Sequence, residues 1–118
     1  MARFGAVVAA LVVAAAVFAA SQADAAVTCS QVASNLRSCI PYVTGRVAEL
    51  PSACCDGVRT LNSAARSTAD RRATCNCIRS QASGINGIQT GRLSGIPSSC
   101  GVQVPYPISA STDCSRVT

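Results

Sequence analysis

Eight cysteines, spaced C-x9-C-x14-CC-x19-CxC-x22-C-x13-C from Cys29 to Cys114, constrain this 118-residue chain more than any other feature. On a helix, adjacent Cys54 and Cys55 point about 100° apart at 3.6 residues per turn. A bond between them closes a strained small ring, far from ordinary disulfide geometry. Cys75 and Cys77 lie about 200° apart on their helix, so each needs a partner elsewhere. The two segments carrying these pairs are therefore hubs, each tied in two directions. Spacing alone leaves 105 pairings open.

The segment ahead of the cysteines reads as a secretory leader. Arg3 supplies a positive start, Ala6 to Ala20 is an unbroken apolar run of 15 residues, and Ser21 to Ala25 is small and polar. That order is the signature of a signal peptide, and the run is shorter than the roughly 20 residues a spanning helix needs. Ala23 and Ala25 form the small-residue pair that places the cut between Ala25 and Ala26. Two regions follow: 1–25 as leader and 26–118 as the mature domain. With no apolar tail after Cys114, a secreted, extracellular protein of the cell wall is expected.

An oxidising route makes an even set of cysteines a disulfide framework. The core makes it a necessity. Phe4 and Phe18 leave with the leader, the chain has no Trp, and only Tyr42 and Tyr106 remain as aromatics. A domain this small buries only roughly 60–65% of its unfolded surface. Each disulfide typically contributes about 2–4 kcal/mol, so four offset much of what the core lacks. A thiolate metal site is the formal rival, but the chain has no His and no CxxC pair. No metal or other cofactor is expected.

The fold class is all-α: four short helices plus an irregular C-terminal tail. Thr28 and Gln31 form a capping box, and Val32, Leu36, Cys39, Ile40 and Val43 follow at helical spacing up to a stop at Gly45. Pro41 should bend the last turn of this helix. Pro51 suits the first position of a second helix, which carries Cys54, Cys55, Val58 and Leu61. Ser67 and Asp70 repeat the capping pattern for a third, running through Ala73, Cys77 and Ile78 to a cap at Gly84. A weaker fourth spans Ile88 to Ile96 and ends at Pro97, and no helix is expected from Ser98 onward.

The order C…C…CC…CxC…C…C is that of the plant non-specific lipid-transfer proteins, and its gaps resemble those of type 1 members. Thr68-Ala69-Asp70-Arg71-Arg72 resembles their T-x-x-D-R motif, and Pro105-Tyr106-Pro107-Ile108-Ser109 their P-Y-x-I-S motif. The resemblance implies the pairs Cys29–Cys77, Cys39–Cys54, Cys55–Cys100 and Cys75–Cys114. Polar Asn76 between the CxC cysteines goes with that type 1 set; the rival exchanges the partners of Cys75 and Cys77. It further implies an apolar tunnel carrying fatty acids, lysophospholipids and phospholipids, by a monomer that touches membrane surfaces transiently. Patterning alone leaves open whether the apolar residues enclose a hollow or pack together.

Among nine arginines after residue 25, Arg71 is the head-group ligand that the resemblance implies, from its motif position near the cavity mouth; its fork of donors suits carboxylate or phosphate. Tyr106 can close over the chain while its hydroxyl reaches the head group. Asp70 reads equally as helix cap and as a partner that orients Arg71. Val58, Leu61, Ile78, Ile96 and Ile108 are the expected apolar lining. Pro107, at the variable position of the tail motif, should stiffen the segment around Tyr106.

Other functions fit less well. Without His no Ser has an imidazole base, so an enzyme is not expected. Nine arginines against four acids after residue 25 leave +5, which suits a cationic antimicrobial acting on anionic membranes. A protease or amylase inhibitor of the same cysteine superfamily would need a reactive loop that the sequence does not display. Dispersed arginines and scarce aromatics argue against nucleic acid.

Overall fold

Local capping sets where the helices begin. The computed structural model describes residues 27–118; the expected leader, 1–25, and the cut after Ala25 lie outside them. Helix α1 spans Cys29–Leu36, and both halves of its capping box form: Gln31 N donates to Thr28 Oγ1 at 3.2 Å and Thr28 N to Gln31 Oε1 at 3.0 Å. The chain then tightens into a 3-10 turn, Arg37–Cys39, before α2, Ile40–Val43. Pro41 explains the tightening. It cannot donate to the Arg37 carbonyl, and its ring crowds that oxygen. The bend thus falls before Pro41, a turn earlier than the sequence suggested. Gly45, at φ 78°, ends this bent arm with bonds from Gly45 N to Tyr42 O and Arg46 N to Pro41 O.

Helix α3 covers Ser52–Ala64, with extended Pro51 just outside as its N-cap rather than its first residue. Helix α4 covers Thr68–Ser83 behind the Ser67–Asp70 capping box. Gly84 is its C-cap, where the sequence placed one, at φ −88° with its N–H donating to Gln81 O at 3.1 Å.

Helix α5 departs most from expectation. It runs Thr90–Ser99, straight through Pro97. The missing N–H costs only the one bond Pro97 would have made back to Leu93. The helix then closes on Pro97 itself, whose carbonyl accepts from Val102 N at 2.8 Å while Gly101 N donates to Ser98 O. Gly101 at φ 69° is the left-handed residue that this Schellman closure needs. The tail beyond is irregular apart from a 3-10 turn at Cys114–Arg116. No strand occurs among the described residues.

The structure joins Cys29 to Cys77, Cys39 to Cys54, Cys55 to Cys100 and Cys75 to Cys114, with Cα–Cα separations of 5.2, 4.8, 5.1 and 5.7 Å. This is the set the resemblance implies, not the exchanged one. Helices α1 and α3 run antiparallel: Cys39 bonds Cys54, the Asn35 carbonyl lies against Gly57, and Val32 packs with Leu61. Three small core clusters result instead of one centre. Val27, Val32, Leu61, Ala65, Cys77 and Ile78 form the first. Cys39, Val43, Cys54, Ile96 and Cys100 form the second. Cys75, Cys114 and Val117, with Tyr106 against them, form the third.

Candidate functional site

Between these clusters lies a hollow of about 390 Å³, within the usual range for small-molecule sites. Helical spacing aims its walls. Val58 and Leu61 stand three apart on α3, as do Leu93 and Ile96 on α5. Arg71, Thr74 and Ile78 form one stripe of α4. Val104, Tyr106 and Ile108 of the tail close the side, and the same three residues also line a more open outer hollow of about 540 Å³. The tail is therefore a single-chain wall. Pro107 faces the outer hollow only.

Seven of the eight expected binding residues sit on the inner wall: Val58, Leu61, Arg71, Ile78, Ile96, Tyr106 and Ile108. Asp70 does not. It is buried at the start of α4, where its carboxylate accepts from Ser67 N at 3.4 Å and its own N–H donates to Ser67 Oγ at 3.0 Å. Of its two readings, the cap is the one the geometry supports. Backbone carbonyls, not Asp70, hold Arg71: Nε donates to Thr118 O at 2.7 Å and Nη1 to Arg66 O at 2.9 Å. Nη2 is left without a partner among the described residues.

The sequence did not single out Arg37, Leu36, Ile40, Ile85, Leu93 or Val104, all of which line the hollow. For Leu36 and Ile40 the helical spacing was the available signal. For Arg37 there was none, since it is one of nine arginines that look alike. Four of those nine clamp distant backbone instead. Arg59 donates to Cys100 O, Arg72 to Val117 O, Arg79 to Thr112 O, and Arg92 to the carbonyls of Tyr42 and Val47.

Burial pushes the Tyr106 hydroxyl above the ordinary tyrosine range, and the Arg71 cation pulls it part of the way back. The sign for stability follows. Below about pH 10 both folded and unfolded chains keep this proton, so Tyr106 adds no pH dependence. Above it the unfolded chain ionises first, and stability falls until the folded phenol ionises too. Arg71→Ala removes the opposing charge and should raise the Tyr106 transition further. Phenolate absorbance in a Tyr42→Phe background reads it. A transition that stays put or moves down means that Arg71 does not act on this ring.

These features define a class: an all-helical, disulfide-stapled shell around an apolar hollow, with a guanidinium and a phenol on its wall. The chain belongs to the plant non-specific lipid-transfer proteins, within the protease inhibitor, seed storage and LTP family whose model matches residues 29–114. The probable non-specific lipid-transfer protein 3 of Triticum aestivum is 49% identical over 114 residues, covering 95% of this chain and 93% of the relative. The barley non-specific lipid transfer protein 1 solved in complex with a lysophosphatidylcholine is 41% identical, with a TM-score of 0.74 over 78% of this chain and 100% of that one. The wheat protein solved with two molecules of phospholipid is 43% identical, with a TM-score of 0.72 over 77% and 100%.

Proposed function

We propose that this protein reversibly binds and transfers fatty acids, lysophospholipids and phospholipids, non-covalently and outside the cell. The observation that carries this reading is one apolar hollow with Arg71 and Tyr106 together on its wall. The complexes of its barley and wheat relatives with lysophosphatidylcholine and phospholipid support it. An acyl chain gains about 0.8 kcal/mol per CH₂ on leaving water. A bilayer offers a similar gain, so exchange between protein and membrane is nearly balanced. Apolar contact separates chain lengths by only about 1–3 kcal/mol per methylene at best, which makes the carrier broad in specificity. The free Nη2 of Arg71 and the Tyr106 hydroxyl are the head-group ligands. Residues 1–25 are the leader removed on secretion.

Displacement of a fluorescent fatty acid from the secreted protein tests the reading, and mass spectrometry of the same product checks the cut after Ala25. Saturable binding is expected; its absence would sink the carrier function. Vesicle leakage without lipid exchange would favour a membrane-active role instead. In the same assay Arg71→Ala should weaken charged lipids about tenfold more than neutral ones, taking about 1.5 kcal/mol for a hydrogen bond to a charged group. Equal losses for both would remove Arg71 as a head-group ligand.

A further inference from the structure

We propose that Arg37 makes a second anion-binding end of the hollow, so that the protein prefers long-chain α,ω-dicarboxylic acids to monocarboxylic acids of the same length. The inference rests on the lipid-carrier reading and concerns the same site. Arg37 lines the hollow and is nevertheless exposed, which places it at a rim. Its guanidinium has no hydrogen bond or ion pair among the described residues. Arg71, by contrast, has two of its nitrogens committed to backbone carbonyls.

The two cations stand at opposite ends. The Cys39–Cys54 disulfide holds the Arg37 turn beside the first turn of α3. Arg71 donates to Arg66, two residues beyond the last residue of α3. The 13 residues of α3 span about 20 Å at 1.5 Å per residue. Between the ends the wall is mostly apolar, with Val58, Leu61, Ile78 and Ile96 along it and Asn62 and Thr74 among them.

A carboxylate left unpaired in apolar surroundings is strongly disfavoured. A hollow with one cationic end therefore rejects a dicarboxylic acid in favour of the monoacid. A hollow with two ends, spaced for the chain, reverses that order. The sign of the preference reports the number of cationic ends.

The test is displacement of a bound fluorescent fatty acid by hexadecanedioic acid and by hexadecanoic acid. The full chain is expressed through an oxidising secretory host. Wild type should release the probe at about fivefold lower diacid than monoacid concentration, the worth of one rim ion pair. Arg37→Gln should reverse the order. Arg37→Lys should keep the diacid preference, which excludes a mere folding defect. A wild type that prefers the monoacid, or an Arg37→Gln protein that still prefers the diacid, overturns the proposal. Failure of the probe to bind overturns the carrier reading and this one together; probe binding without diacid preference overturns this one alone.

Discussion

The Cys75→Ser/Cys114→Ser protein is expected to keep its helices and lose most of its fatty-acid affinity. The Cys75–Cys114 bridge sits in a cluster with Val117, against which Tyr106 packs. Without it the tail beyond Cys100 is held by arginine bonds to backbone: Arg79 to Thr112, Arg72 to Val117 and Arg71 to Thr118. Those bonds hold residues 112–118, and Thr112 Oγ1 donates back to Pro107 O at 2.6 Å, but Tyr106 loses the bridge sulfurs it packs against, and Val104–Ile108 forms the wall. If that wall swings out, a bound chain loses the contacts of Val104, Tyr106 and Ile108. Two methylenes' worth of lost burial, at about 0.8 kcal/mol each, already lowers affinity about tenfold. The global cost is about 2–5 kcal/mol, which in a domain this small lowers Tm by roughly 10 °C or more. Thermal melts by circular dichroism and probe titration measure the two effects separately. Unchanged affinity in the doubly substituted protein would show that the tail wall does not depend on this bridge.

Gly57→Ala is the second large effect, and its sign opposes helix propensity. In an exposed helix, Gly to Ala gains about 1 kcal/mol. At position 57 the new Cβ would run into the Asn35 carbonyl oxygen, a backbone atom that no rotamer change can move aside. Helix α1 must retreat from α3, yet the Cys39–Cys54 bridge pins the same pair of helices close by. Overpacking against flexible side chains costs about 1–3 kcal/mol. Against pinned backbone the loss should reach or exceed the top of that range after the propensity gain is deducted. A lowered denaturation midpoint with an unchanged m-value is expected. Gly91 meets nothing within 4 Å when given a Cβ, so Gly91→Ala serves as the control and should be neutral or stabilising. An equally stable Gly57→Ala protein would mean that the helices can separate at little cost.

Neither effect is visible in the order of residues alone. Gly57 sits inside a helix whose spacing reads normally, and what makes it necessary is a carbonyl 22 residues earlier. Pro97 reads as a terminator because proline cannot continue the bonding pattern. It is tolerated because it falls in the last turn, where one missing bond is the whole cost and its own carbonyl anchors the closure. Asp70 had two readings of equal standing, and the bonds to Ser67 favour the cap. Arg37 and Arg71 are chemically identical in sequence. The motif resemblance marked Arg71, whereas only the fold places Arg37 on the wall of the hollow.

The cysteines carry both kinds of information. That Cys54 and Cys55, or Cys75 and Cys77, cannot pair with each other follows from 3.6 residues per turn and was determined by sequence. So were the two capping boxes, because each closes within three residues, and the face of α3 that carries Val58 and Leu61. Tertiary structure decided what those faces surround. Four bridges hold the helices at distances that three small clusters do not fill, so an apolar face that local patterning would equally let collapse borders a hollow of about 390 Å³. The reason is range. Helix starts and faces depend on neighbours a few residues away, whereas a cavity and the cations at its rim depend on segments joined across 15 to 48 residues by disulfides.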